Sequence, residues 1–131
     1  MIINCSRKAF QILQKNINSQ QEEVWVLTLD NDLKLLELDL LFRGTVNECI
    51  IHPRDLIRTI CARNASVFIV AHNHPSGKAK PSRQDRRVTQ RILKISQLLE
   101  VPMRDHLIFS QNTYFSFADH GLLNRASRPG R

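Results

Sequence analysis

The sequence predicts an α/β fold in which a mixed β-sheet is flanked by helices. Apolar runs typical of strands are interspersed with segments of helical periodicity, and some of the strand-like runs follow one another directly. Strands joined by a short turn pair antiparallel, whereas strands joined through a helix can pair parallel, so both kinds of pairing are expected. The length of 131 residues fits a single domain over 1–131, ending in a basic tail at about 124–131.

The first half of the chain carries signals for one helix and two strands. Ser6 is the expected N-cap of the helix, and Asn18-Ser19 is its stop signal. The β-branched and aromatic run Glu23–Leu29 predicts a buried strand. A turn at residues 30–32 joins it to an antiparallel partner, Leu33–Phe42. The apolar residues at helical spacing in the first helix are Phe10, Leu13 and Ile17.

The second half predicts helix, strand, helix and hairpin. Pro53 suits the first turn of a helix that ends near Asn64. The continuous apolar run Ala65–Ala71 predicts a central strand covered on both faces. A long helix from Ser82 to about Leu99 is indicated by a single apolar stripe. The predicted closing hairpin consists of Leu107–Ser110 and Tyr114–Phe117, and its second strand is a candidate edge for oligomer formation.

Composition and charge argue against a membrane-spanning, secreted or disulfide-rich protein and favour anionic partners. No apolar run approaches the roughly 18 residues of a membrane span, and residues 1–15 lack the features of a secretory signal, which predicts a cytoplasmic protein. Three widely separated cysteines, an odd number, argue against a disulfide framework. The net charge of +7 favours anionic partners. Part of this charge lies on the long predicted helix, at Arg83, Arg86, Arg87, Arg91 and Lys94, where a merely solvated helix face is the simpler interpretation.

Three residues after the central strand predict a metal site. His72 and His74 leave the strand at positions i and i+2, so their side chains project to the same side. Asp85 shares the inward stripe of the long helix, at the end to which the loop from the histidines returns. Two imidazoles and a carboxylate suit Zn²⁺, with one position left for water in a catalytic site.

The same residues have simpler interpretations. A buried histidine is more often a hydrogen-bonded core residue than a ligand. Ser82 and Asp85 also form the pattern of a capping box at the helix start. Capping does not explain why two histidines at the end of a core strand are directed at this helix start, and the two roles of Ser82 are compatible. His-x-Glu with Pro-Cys-x-x-Cys, the pattern of zinc deaminases, is absent from the sequence.

The stretch from His72 to Asp85 resembles a known family. His-x-His, seven residues, then Ser-x-x-Asp is the motif of the JAMM (MPN+) metallohydrolases, and Ala71-His72-Asn73-His74-Pro75-Ser76-Gly77 is similar to the RadC-like (UPF0758) branch. Gly44-Thr45, His52-Pro53-Arg54 and Asp105-His106 extend the resemblance over about Glu23 to Leu123. Asp55 departs from the family, which usually has Glu after Pro-Arg.

This resemblance implies a cytidine-deaminase-like α/β/α sandwich with zinc held by His72, His74 and Asp85. It also implies that Ser82 stabilises an oxyanion and that a Glu at an early strand start is the general base. Alternation along the strand allows either Glu22 or Glu23 to face the metal but not both. The resemblance favours Glu23, because the Glu of the family stands immediately before the apolar run.

Two functions are compatible with these residues. The first is a zinc metallopeptidase or isopeptidase acting on a protein or peptide. The second is a nucleic-acid-associated accessory domain of a DNA-repair-type protein, in which the metal is structural or vestigial. A complete ligand set with a candidate base favours the enzyme, since a structural zinc site usually recruits a fourth protein ligand.

Overall fold

A computed structural model describes residues 1–17, 20–44 and 51–123. Five strands and three helices follow one another in the described part of the chain. In chain order they are α1 (Ser6–Asn16), β1 (Glu22–Leu29), β2 (Leu35–Gly44), α2 (Pro53–Ala62), β3 (Val67–Asn73), α3 (Arg83–Leu99), β4 (Met103–Phe109) and β5 (Tyr114–Ser116). The predicted helix stop at Asn18-Ser19 and the basic tail at 124–131 lie outside the described residues.

The five strands form one mixed sheet in the order β2-β1-β3-β4-β5. The β1–β2, β1–β3 and β4–β5 pairs are antiparallel, whereas β3 and β4, which are joined through α3, pair parallel. The predicted mixed sheet flanked by helices is therefore confirmed. β3 occupies the centre, in agreement with its continuous apolar sequence, and the short β5 lies at an edge.

Alternating side chains divide the core into two layers, one on each face of the sheet. On one face Val24, Val26 and Val70 pack with residues of α2 and α3. On the other face Leu27 and Ala71 pack with residues of α1. This arrangement is a three-layer α/β/α sandwich, and its first face carries the histidines described below. No helix in the described part of the chain is long and apolar enough to cross a membrane.

Several element boundaries differ from the sequence prediction, among them the start of α1 and the end of β3. Cys5, in extended backbone, is the N-cap of α1, and it makes no side-chain capping bond. The predicted cap, Ser6, is the first helical residue, and its Oγ donates instead to Asp119 Oδ2 at 2.5 Å. β3 runs on to Asn73 because residues 72 and 73 continue the pairing with β4. His72 therefore belongs to the strand and not to the following loop.

Helix α3 begins where the sequence predicts and has a complete capping box. Ser82 Oγ accepts from the backbone N–H of Asp85 at 3.0 Å, and Asp85 Oδ2 accepts from the N–H of Ser82 at 2.8 Å. At the other end Glu100 adopts the left-handed conformation at φ 56°, which ends the helix. The start of α3, which carries Asp85, is thus fixed by side-chain bonds that also orient its carboxylate.

Candidate metal centre

The two histidines of the motif lie at the end of β3. His72 pairs with Val24 of β1 and with Ile108 of β4, so its backbone is held on both sides. The N–H of His74 donates to the carbonyl oxygen of Phe109 at 2.7 Å, which keeps the chain beside β4 for one more residue. The imidazole centroids are 4.9 Å apart and the rings are nearly perpendicular, at 89°. The backbone thus presents both rings to the same region.

Asp85 of α3 completes the cluster. Its Oδ1 is 3.0 Å from His72 Nδ1, and its Oδ2 is 3.3 Å from His74 Nε2. One potential ligand atom from each of the three residues lies within 4.8 Å of the others. The structure therefore brings together the three residues that the sequence analysis proposed as ligands. Asp85 also caps α3, so the same carboxylate accepts from the Ser82 N–H and contacts both histidines.

The cluster favours an ionised Asp85. Burial alone would raise the pKa of this carboxyl group, but hydrogen bonds with His72 and His74 outweigh burial and hold the pKa far below its ordinary value. The same contact with Asp85 raises the pKa of His74 against the opposing effect of burial. A negatively charged oxygen donor is thus held beside two imidazoles.

The donor set fits a divalent metal ion. His72 Nε2 is buried and has no hydrogen-bond partner in the described part of the chain. A buried polar nitrogen without a partner is costly, and a bound ion is one of its ordinary explanations. Two imidazoles with one carboxylate form a three-residue ligand set that metal sites commonly use. The cluster could therefore bind a metal ion.

The cluster opens into a cavity of about 400 Å³. Ser82, whose predicted role concerns the oxyanion, lines this cavity together with His72, His74 and Asp85. The half-buried Glu22 lines the same cavity, and its charge contributes to the raised pKa of His74. The cavity thus combines candidate metal ligands, a hydroxyl and a further carboxylate.

Glu23, the predicted general base, lies on the opposite face of β1. Its buried carboxylate accepts from Trp25 Nε1 at 3.1 Å and from Arg43 Nε at 2.6 Å. Because Val24 pairs with His72 and packs on the same face, residues two apart from Val24 face the cavity. This parity places Glu22 at the cavity, whereas Glu23, for which the role of general base was predicted, lies on the other face. Which of the two glutamates faces the cavity depends on how β1 aligns with β3. The sequence of β1 alone does not indicate this alignment.

His106 also lines the cavity, although no chemical role was predicted for it from the sequence. Its ring is 1% exposed and stacks on Phe117 with centroids 4.8 Å apart, and Nδ1 contacts the hydroxyl of Thr89. Burial lowers the pKa of His106 to about 3. The adjacent Asp105 lies on the opposite face of β4, where its carboxylate accepts from Ser116 Oγ at 2.6 Å. The Asp105-His106 pair is the only sequence signal that pointed to this position.

The chain is similar in sequence to a known protein family and to several curated proteins. The RadC-like JAB domain family matches residues 3–122. UPF0758 protein YkfG of Escherichia coli K12 is 43% identical over 104 residues, which are 79% of this chain and 66% of that protein. YeeS of the same strain is also 43% identical over 104 residues, 79% of this chain and 70% of that protein. A UPF0758 protein of Histophilus somni is 41% identical over 110 residues, 83% of this chain and 50% of that protein. The chain thus spans about half to two thirds of the length of these curated relatives.

Proposed function

The chain belongs to the RadC-like JAB domain family, and from this membership and the cavity geometry we propose that it is a zinc-dependent hydrolase of amide bonds. The observation that carries the proposal is the convergence of His72, His74 and Asp85, with ligand atoms within 4.8 Å of one another, in a cavity that also contains Glu22. A metallopeptidase or isopeptidase acting on a protein or peptide is the corresponding activity.

Zinc is the proposed metal because its preferences match the donors present. Three protein ligands and an open position are typical of catalytic zinc, whereas structural zinc is usually closed by a fourth protein ligand. The described residues offer a group of three candidate ligands at this site. When bound, zinc supplies a Lewis acid for the scissile carbonyl and lowers the pKa of a water molecule toward about 7.

Glu22 is the proposed general base and acid. Its carboxylate lines the cavity beside the three candidate ligands and is not among them, so it remains able to exchange a proton. Amide hydrolysis requires a group that accepts the proton of the attacking water and then delivers a proton to the leaving nitrogen. A single carboxylate can perform both transfers in succession.

Ser82 is the proposed donor to the oxyanion. Its Oγ accepts the capping bond from the Asp85 N–H with a lone pair, which leaves the hydroxyl proton to donate into the cavity. The capping bond also fixes where that hydroxyl sits. A donor positioned before the reaction stabilises charge that develops on the carbonyl oxygen without the cost of reorientation.

The test of the function is cleavage of a peptide library that contains both ordinary and lysine-linked isopeptide bonds. Zinc-loaded protein is expected to cleave a subset of the library, and removal of zinc by a chelator followed by its readdition should abolish and restore cleavage. The matched control is the zinc-loaded Glu22→Gln protein, which is expected to be inactive. Cleavage that persists in the chelated protein would contradict the proposal.

A second candidate function is association with nucleic acid through α3. Five basic residues of this helix are exposed, namely Arg83, Arg86, Arg87, Arg91 and Lys94, and no acidic residue in the described ranges forms an ion pair with any of them. An uncompensated basic helix face attracts phosphates by charge alone. In this alternative the metal would support the structure, and the protein would cleave no peptide.

A further inference from the structure

The middle residue of the histidine motif, Asn73, connects β3 to the start of β1. Its side chain is 4% exposed. Because side chains alternate along extended backbone, it points to the face opposite to that of His72 and His74. Asn73 Oδ1 accepts from the backbone N–H of Glu23 at 2.5 Å, and Nδ2 donates to the backbone carbonyl of Gln21 at 2.9 Å. The amide therefore binds the residues before and after Glu22.

This side chain takes the place of backbone pairing at the end of the sheet. The antiparallel ladder between β1 and β3 begins at Val24 and His72 and does not include Gln21 to Glu23. Beyond His72 the backbone of β3 follows β4 instead, since Asn73 pairs with Phe109 and the His74 N–H donates to the same residue. The amide of Asn73 spans the gap that this divergence leaves.

We propose that Asn73 is a positioning residue that holds the Glu22 carboxylate at the metal cavity. This inference rests on the proposed function for its link to catalysis. With the Gln21 carbonyl and the Glu23 N–H both bound to one rigid amide, the peptide planes on either side of Glu22 are fixed, and its side chain is directed to the cavity face. One residue thereby couples the end of β3, which carries His72, to the segment that carries the proposed base.

Asparagine is suited to this task because it is both a donor and an acceptor. Aspartate keeps the acceptor and the shape but loses the donor to Gln21, and it places a charge beside that carbonyl oxygen. Alanine removes both bonds. Glu23 has separate anchors in Trp25 and Arg43, which act through its carboxylate, so the strand as a whole remains attached when Asn73 is changed. The expected consequence is a local loosening around Glu22 in a folded protein.

The experiment compares Asn73→Asp and Asn73→Ala with the control Asn16→Asp in the whole chain. Asn16 also donates from Nδ2 to a backbone carbonyl, that of Ile12, but it lies at the end of α1. Hydrogen exchange at the Glu23 amide, measured by NMR, is expected to be at least about tenfold faster in Asn73→Ala, which removes the acceptor of that N–H. It should stay close to the wild-type rate in Asn73→Asp, which keeps the acceptor, and in Asn16→Asp. Zinc content should remain that of the wild type in all three.

Kinetics then separate positioning from general weakening. With a library-derived peptide, both Asn73 variants should lower kcat by about tenfold or more while KM stays within about twofold, because the base acts in the chemical step. Asn73→Ala added to Glu22→Gln should cause no further loss of the residual rate, since both changes act through Glu22.

Three results would overturn the inference. They are unchanged exchange at Glu23 in Asn73→Ala, unchanged kcat in both Asn73 variants, and loss of zinc in Asn73→Ala, which would mean that the residue supports the ligands instead. If zinc-loaded wild-type protein cleaves no peptide, the proposed function fails separately. Exchange at Glu23 then decides whether Asn73 holds the Glu22 segment.

Discussion

At the scale of single residues, Glu22 and Glu23 are adjacent in sequence yet have opposite surroundings. Glu22 lines the cavity, whereas Glu23 is buried against Trp25 and Arg43 on the other face of β1. Glu22→Gln should therefore retain zinc and abolish hydrolysis, because the amide cannot accept a proton. Zinc content and peptide cleavage, measured on the same preparation, check this.

The matched control is Glu23→Gln. It should retain cleavage but unfold at a lower temperature, because the ion pair between its buried carboxylate and Arg43 is lost. Full activity in Glu22→Gln with no activity in Glu23→Gln would contradict the proposed role of Glu22 and assign the general base to Glu23, as predicted from the sequence.

The candidate site was largely predictable where its residues are close together in sequence. The spacing of His72, His74, Ser82 and Asp85 implies a strand, a loop and a capped helix start, and the structure brings all four residues to one cavity. Glu22, the residue proposed as general base, was not predictable in the same way. It lies about 50 residues earlier, and its identity depends on whether β1 pairs with β3 in one register or in the next, a shift of one residue that exchanges the two faces of the strand.

At the scale of elements, α3 presents two different surfaces. Its start carries Asp85 toward the cavity, while Arg83, Arg87 and Lys94 are exposed along the helix. If the basic surface binds nucleic acid, the triple change of these three residues to Gln should weaken binding to an unrelated duplex and reduce its salt dependence. Fluorescence anisotropy at several salt concentrations measures both quantities.

The control for α3 is the same change of charge on α1. Arg7, Lys8 and Lys15 are exposed on that helix, so their triple change to Gln removes equal charge from the other layer of the sandwich. Equal effects of the two triple variants would show that net charge, and not the surface of α3, attracts nucleic acid. Tight binding that distinguishes between sequences at physiological salt would contradict the expectation of weak, sequence-independent contacts.

Most elements were predicted by type, and the errors fall at their ends. The continuous apolar sequence of β3 indicated a central strand but not that it continues through His72 and Asn73, because polar residues ordinarily mark a strand end. β4 begins at Met103, although the sequence suggested Leu107, since Arg104 and Asp105 interrupt its apolar pattern. Hydrogen bonds from the Ser116 hydroxyl and the Ala118 N–H satisfy the buried carboxylate of Asp105 within the strand.

At the scale of the whole molecule, the buried His106 is expected to make the metal-free fold sensitive to acid. Its pKa is about 3 in the structure and about 6.5 in an unfolded chain, so between these values the unfolded chain binds a proton that the native protein does not. The free energy of unfolding should therefore decrease as the pH falls from about 6.5. His74, with its raised pKa, acts in the opposite sense, because its contribution is lost as pH rises above that range.

Chemical denaturation of metal-free protein at several values between about pH 4.5 and 6.5 tests this expectation. His106→Gln removes the titrating group, so the free energy of unfolding should depend less on pH in this variant than in the wild type. Comparing the two proteins cancels the contributions of Asp85 and Asp105, which are present in both. Identical pH dependence would mean that His106 is not held neutral by the fold.

The strand order of the sheet explains why residues distant in sequence line one cavity. β3 lies between β1 and β4, so its carboxyl end receives Glu22 from one neighbour and contacts the strand of His106 on the other. Interspersed strands and helices predicted a mixed sheet, but several strand orders are compatible with that pattern. The order follows from pairing between distant segments, for which the sequence contains no local signal.

Zinc content in wild-type protein and in Asp85→Asn is the most direct measurement of whether His72, His74 and Asp85 hold one zinc ion. Asn at position 85 can still accept the capping bond from the Ser82 N–H, but it lacks the negative charge of the ligand. Elemental analysis after dialysis against trace zinc should give about one zinc per wild-type chain and far less in Asp85→Asn, with α3 still folded. Equal zinc in the two proteins would mean that Asp85 is not a ligand and acts as a helix cap alone.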